Sequence, residues 1–320
     1  MRAAAAVLSL SLATPVAGEI RLQPPLDCTP EMGCYIQNYM DRDPGPGAQD
    51  FTCGPLAYDG HKGTDFALPD DSIMALGVPV LASAPGTVTG IRNSMPDIRF
   101  SDPGAPPLEG RDCGNGVVLD HGDGWESQYC HMKQGSVSVS LGQQVATGAP
   151  LGLVGLSGRT EFPHVHISIR KDGETLDPFA PLATSCAGAP SGESLWADPL
   201  EYQAGGLISL GFSDAVPEYA AIKAGTAARE TLPTEAPALV LWGHAFGPRA
   251  GDVLQITITA PDGSLFHQSE ASFERTQAQA FRASGRRAQG LAEGLYTGQL
   301  RLIRAGKTLS EATTTLPVRR

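Results

Sequence analysis

The chain has 320 residues, 41% of them hydrophobic, and a formal net charge of −11. That length favours two domains over one, and the composition is ordinary enough for each to build a core. The net acidity argues against a nucleic-acid binder, and only 18% charged residues beside 38 Gly and 26 Pro suits a turn-rich β protein.

Residues 1–18 read as a signal peptide. Met1-Arg2 opens with positive charge, Ala3–Ala13 are apolar, and Pro15-Val-Ala-Gly18 supplies small residues for cleavage. No later stretch is long and apolar enough to span a bilayer. Export is expected, and the six cysteines agree with an oxidising compartment. Six cysteines allow fifteen pairings in general. Cys28 and Cys34 suit a small local loop, Cys113 and Cys130 flank a predicted hairpin, and Cys53 and Cys186 are left for each other. A zinc-thiolate site is disfavoured because no Cys-x-x-Cys pair exists.

Residues 19–58 read as an irregular, disulfide-stapled segment rich in Pro, Gly and Asp. Short strands follow at Thr64–Leu68, Pro79–Ala82 and Gly86–Ile91, then a polar surface loop over Asn93–Asp112. Gly116–Asp120 and Trp125–His131 flank His121-Gly-Asp-Gly124, the clearest hairpin signal in the chain. Next come Gln144–Ala146 and Pro150–Val154. In Pro163–Arg170, Val165, Ile167 and Ile169 alternate with His164, His166, Ser168 and Arg170.

Residues 187–234 read as a linker with one short helix near Glu218–Ala228. Residues 235–320 read as a small C-terminal β-sandwich, with an immunoglobulin-like arrangement as one candidate, on alternating runs at Leu239–Trp242, Val253–Thr259, Leu295–Ile303 and Ala312–Val318. Charge supports a boundary near 200: residues 1–204 carry 11 basic and 24 acidic side chains, residues 205–320 carry 12 and 10.

The chemistry gathers at three places: His61-Lys-Gly-Thr-Asp65, His131 at the end of the hairpin, and His164-Val-His166. On a strand, residues two apart face one side, so both imidazoles of the last pair address one site. Two His and one carboxylate match the ligand count of a catalytic zinc, which keeps one position open. The remaining histidines are then free for proton transfer. His121 is accounted for by the turn, and His244 and His267 lack metal spacing. Trp125 and Tyr129 read as packing residues, whereas Tyr58 lies close enough to the first motif to reach the site.

From Asp59 to Phe179 the chain resembles the lysostaphin/LytM-type zinc metallopeptidases. The resemblance rests on His61-x-x-x-Asp65, Pro85-Gly86-Thr-Val, Gly114-Asn-Gly-Val-Val-Leu-Asp-His-Gly122, Tyr129-Cys-His131, Gly142-Gln-x-Val, Pro150-Leu-Gly-x-Val-Gly155, Pro163-His-Val-His166 and Asp177-Pro178. It implies a peptidase domain over 59–186 with a half-open antiparallel sheet and a long groove. It implies that His61, Asp65 and His166 hold Zn²⁺ and that His131 and His164 are the catalytic histidines, His131 on the oxyanion side and His164 as base. It implies hydrolysis of amide bonds in peptidoglycan peptides, in a periplasmic or secreted protein, with a D-Ala–diaminopimelate bond preferred over a glycine bridge. The rival is an inactive adaptor that binds cell wall and activates an amidase. The C-terminal domain is left to bind cell wall or a protein partner.

The sequence departs from the family pattern in three places. Cys130 stands before the hairpin histidine, Arg159, Glu161 and Phe162 are expected at the groove rim, and the loop 93–112 is expected as another wall. If the N-terminal segment covers the groove, Asn38 or Asp41 is the residue that would reach the metal.

Overall fold

A computed structural model describes residues 20–29, 32–183, 185–186 and 194–320; the segment read as a signal peptide, 1–18, lies outside them. Among the described residues no helix is long and apolar enough to cross a membrane.

The first unit is built on one eight-stranded sheet. Its strands are β1 (Tyr35–Asn38) and β2 (Thr64–Ala67) and, after helix α1 (Asp71–Ala75) and β3 (Pro79–Leu81), β4 (Gly86–Arg92), β5 (Asn115–Gly122), β6 (Trp125–Met132) and β7 (Gln144–Val145). After β8 (Pro150–Leu153) come β9 (His164–Lys171) and β10 (Glu174–Leu176). The order is β1-β2-β9-β6-β5-β4-β7, with β10 beside β9 and all pairings antiparallel; β3 and β8 form a separate two-stranded ribbon. The hairpin of β5 and β6 closes through Asp123 and Gly124, both at positive φ (50° and 78°), the conformation that matches strand twist in a two-residue turn.

Alternation gives the sheet two chemically different faces. Val117, Leu119, Tyr129, Val165, Ile167 and Ile169 are buried in one core with Leu22, Tyr39, Phe51 and Trp196. The opposite face of β9 carries His164, His166, Ser168 and Arg170. The N-terminal segment is less irregular than expected. It supplies β1 to the sheet edge, and Tyr39, Phe51 and Phe179 pack ring to ring within 5.0–5.2 Å. Short apolar stretches between Pro and Gly gave this strand no alternation to announce it.

The second unit begins before residue 235, where the alternating runs had placed its start, and close to the change in charge near 200. Inside the stretch read as linker lie β11 (Gly206–Ser213), helix α2 (Tyr219–Ala224) and β12 (Leu232–Pro233). They are followed by β13 (Ala238–Phe246), β14 (Val253–Thr259), β15 (Leu265–Ser272), β16 (Gln279–Arg287), β17 (Gly294–Arg304) and β18 (Lys307–Arg319). A three-stranded sheet, β11-β13-β16, and a five-stranded sheet, β12-β18-β17-β14-β15, share one core that includes Leu239, Leu241, Ile256, Ile258, Leu300 and Leu316. β11 pairs along its length with β13, so the linker reading of 206–213 gives way to an integral strand. Its burial is intermediate at four of eight positions, which weakened the alternation.

Three disulfides join Cys28 to Cys34, Cys53 to Cys186 and Cys113 to Cys130, and no described cysteine is free.

Candidate metal centre

Strand register assembles the site. Asp65 on β2 stands directly opposite His166 on β9, which stands opposite Cys130 on β6; on the other side of β2, Asn38 on β1 faces Asp65. One row across four strands therefore delivers a carboxylate and an imidazole side by side. His61 reaches in from the loop before β2, and His131 follows Cys130 at the end of β6.

The ligand atoms converge. His61 Nε2 lies 3.1 Å from Asp65 Oδ1 and 3.0 Å from His166 Nδ1, and His166 Nδ1 lies 2.8 Å from Asp65 Oδ1. Around a tetrahedral zinc with bonds near 2.0–2.2 Å, ligand atoms stand roughly 3.3–3.5 Å apart. Among the described residues these three form the group able to hold a metal ion.

Outer hydrogen bonds fix which nitrogen faces inward. His61 donates Nδ1–H to the Tyr39 carbonyl at 2.6 Å. Ser168 donates its hydroxyl to the Lys62 carbonyl at 2.6 Å, so its oxygen accepts His166 Nε2–H at 3.0 Å. His61 Nε2 and His166 Nδ1 are thereby bare lone pairs aimed at one point with a carboxylate oxygen. Three electron-pair donors so placed repel one another unless a cation lies between them. The donor set fits a divalent metal.

The same device orients the other two histidines. His131 donates Nδ1–H to the Ser157 carbonyl at 2.8 Å, and His164 donates Nδ1–H to the Phe162 carbonyl at 2.9 Å, with Thr160 Oγ1 at 3.1 Å. His164 Nε2 lies 3.5 Å from Asp65 Oδ1, and the His131 and His164 rings are 4.6 Å apart. His131 holds a left-handed backbone, φ 61°, unusual for a residue with a side chain. Three bonds keep it there: the ring to Ser157, its own N–H to the Cys113 carbonyl, and Gly155 N–H to its carbonyl. The neighbouring Cys113–Cys130 bridge clamps the same turn.

Electrostatics follow from burial and crowding. Burial, then the nearby His164 and His166, push His131 well below its ordinary range and keep it neutral. Burial also lowers His166, outweighing the pull of Asp65. Burial opposes ionisation of Asp65, but His61 and His164 beside it hold the carboxylate well below the usual range.

Residues 59–178 match the model of peptidase family M23. That match takes in the whole histidine and carboxylate cluster and less than half of the chain. Residues of this chain are 33% identical over 128 positions to the peptidoglycan DD-endopeptidase ShyA of Vibrio cholerae, covering 39% of this chain and 24% of that protein. They are 40% identical over 62 positions to the murein hydrolase activator EnvC of Escherichia coli, covering 19% of this chain and 14% of that protein. The catalytic domain of lysostaphin from Staphylococcus simulans aligns at 21% identity and TM-score 0.29, covering 44% of this chain and 85% of that one. The chain spans about a quarter or less of the length of these curated relatives.

Beside the cluster stand the residues expected at the rim. Arg159, Glu161 and Phe162 line a cavity of about 670 Å³ beside His164, and Phe100 brings the loop 93–112 to the same wall. Phe162 stacks on His164 at 4.4 Å, and the Tyr58 ring lies 4.4 Å from His61. Asp41 is spent elsewhere, accepting backbone N–H groups from Asp43, Gln49 and Gly60. Asn38 instead donates to Asp65 Oδ2 at 2.9 Å, fixing the oxygen that faces away from the histidines.

His121 bonds the Pro85 carbonyl and Ser127 within its hairpin, and His244 and His267 lie in the second unit. Sequence reasoning missed Ser168 and Thr160 as supports. The alternation of β9 already placed Ser168 on the His166 face, and that was the available signal.

Proposed function

We propose that this protein is a zinc-dependent endopeptidase that hydrolyses amide bonds in peptidoglycan peptides, working outside the cytoplasm. The observation that carries this reading is the set of four imidazoles, each tied outward by one N–H to an oxygen, with the other nitrogen left bare around Asp65. Such pre-orientation has a use in metal binding and proton transfer and none in packing. Three disulfides agree with an oxidising compartment.

His61, Asp65 and His166 would hold the ion, and bound Zn²⁺ would supply Lewis acidity toward water and the scissile carbonyl. His164 is the general base. Its Nε2 carries no proton and lies 3.5 Å from Asp65 Oδ1, facing the cluster. From that atom the proton passes to the leaving amine. His131 faces the same space from the oxyanion side, its ring neutral and its Nε2 bare. The preferred target is a D-Ala–diaminopimelate cross-link.

A non-hydrolytic adaptor is the second reading, favoured by the similarity to EnvC. A site that retains every ligand and both proton carriers weighs against it. Zinc analysis of the purified protein, with mass spectrometry of muropeptides before and after incubation, separates the two. About one zinc per chain and loss of a cleavage product in His61→Ala are expected. Intact muropeptides after incubation with zinc-loaded wild type would leave the adaptor.

A further inference from the structure

The second β unit forms part of the wall beside the metal centre. The cavity of about 670 Å³ is bordered by Asn38, Asp65 and His164 from the first unit and by Tyr219, Lys223 and Gln279 from the second. The seam between the units is specific. Gln37 donates to the Ala278 carbonyl at 2.9 Å, and Gln279 donates to Tyr35 Oη at 2.8 Å and to Gln37 Oε1 at 2.9 Å. Tyr35 packs on Phe246 at 4.7 Å. Tyr35, Gln37 and Asn38 all belong to β1, so the strand that holds Asp65 also holds the second unit.

The charges lining this cavity are unequal in their freedom. Asp65 faces the histidines, and Arg159 pairs with Asp112. The Glu161 carboxylate accepts the backbone N–H and hydroxyl of Ser101. Lys223 is half-buried, with its ammonium 5.5 Å from the Tyr219 ring centroid, and among the described residues no carboxylate forms an ion pair with it. The same cavity is also lined by the apolar side chains of Leu56, Phe100 and Phe162.

We propose that the second β unit is the far wall of the peptide cleft and that Lys223 is a specificity-determining residue, pairing with a free carboxylate of the bound peptide. This rests on the peptidase reading of the same site. An ammonium partly withdrawn from water beside apolar side chains gains more from a carboxylate than a fully exposed one does. A peptide with that carboxylate blocked leaves Lys223 without a partner and is selected against.

The test uses the full-length, zinc-loaded protein and two peptides of one muropeptide sequence, one with free carboxylates and one amidated. Binding is measured by calorimetry and cleavage by mass spectrometry. Wild type should bind the free-acid peptide about fivefold or more tighter. Lys223→Gln should erase that difference, Lys223→Glu should reverse it, and Lys223→Arg should keep it. For cleavage, KM should rise in Lys223→Gln with kcat nearly unchanged. Equal binding of both peptides by wild type, or a preference that survives in Lys223→Gln, overturns the assignment of Lys223. Selective binding without any cleavage product would sink the peptidase reading and leave the carboxylate subsite standing. Cleavage of both peptides without preference would do the reverse.

Discussion

The backbone at Gly63 passes against the ring it helps to place. A Cβ added there would lie 2.6 Å from His166 Nε2 and 2.4 Å from the Ile167 carbonyl, closer than real contacts allow. Gly63→Ala should therefore turn His166 away and weaken metal affinity at least tenfold while the far-ultraviolet circular dichroism stays unchanged; a competition titration with a chelating dye measures it. Ser168→Ala removes the oxygen that accepts His166 Nε2–H and should cost about 10- to 100-fold in the same titration. An affinity equal to wild type in both variants would show that ring orientation is set by the strand alone. At this scale much of the site could be read from sequence. His61, Asp65 and His166 could be named from local spacing and alternation, while their convergence depends on the register of β2 against β9. Asn38 was named as a residue that would reach the metal rather than as the support of Asp65, and Thr160 was not named, because their contacts depend on strand register and loop closure, which local spacing does not encode.

Strands of the first unit were legible where alternation was clean, as in β9, or where Asp-Gly marked the turn, as between β5 and β6. β1 and β15 were not, since β1 is buried at all four positions and β15 is partly exposed throughout, so neither presents a two-sided pattern. β13 is also buried almost throughout, and it carries a histidine at a cost. Burial, then the charge of Lys223, lowers His244 from 6.5 to about 4, and the neutral ring accepts the Tyr219 hydroxyl at 3.2 Å. The folded pKa lies below the unfolded one, so the unfolded chain binds more protons between those values. The stability that depends on neutral His244 is complete above pH 6.5 and is lost as pH falls toward 4, a change on the order of 3 kcal/mol. Denaturant unfolding at pH 7.5 and pH 5 should show a smaller acid loss in His244→Gln than in wild type. An identical loss would mean that the ring titrates normally.

Whether the C-terminal half is a separate module is a question for the molecule as a whole. Composition and the end of the cysteines suggested a tethered unit, because charge and cysteine usage change near residue 200 and contacts between domains leave no pattern in a sequence. The structure joins the two units more closely than that. Phe246 of β13 is buried in the core of the first unit, against Tyr35. Arg304 of β17, held within the second unit by Asp252 and the Gly247 carbonyl, donates to the carbonyl of Ala204 at the boundary. Removing residues 205–320 would uncover Tyr35 and Leu56 and leave Gln37 without its partners. Loss of a buried aromatic and its hydrogen-bonded surroundings should cost the remaining domain about 2–4 kcal/mol. Truncation should therefore lower the melting temperature of residues 20–204 by several degrees and reduce turnover of soluble muropeptides, for which affinity for intact wall is irrelevant. A tethered binding module predicts the opposite on both counts, with melting temperature and soluble turnover retained and only binding to insoluble wall lost. Differential scanning calorimetry beside a soluble-substrate assay distinguishes the two, because β1 can lose its neighbour without consequence only if the seam contributes nothing to the position of Asp65.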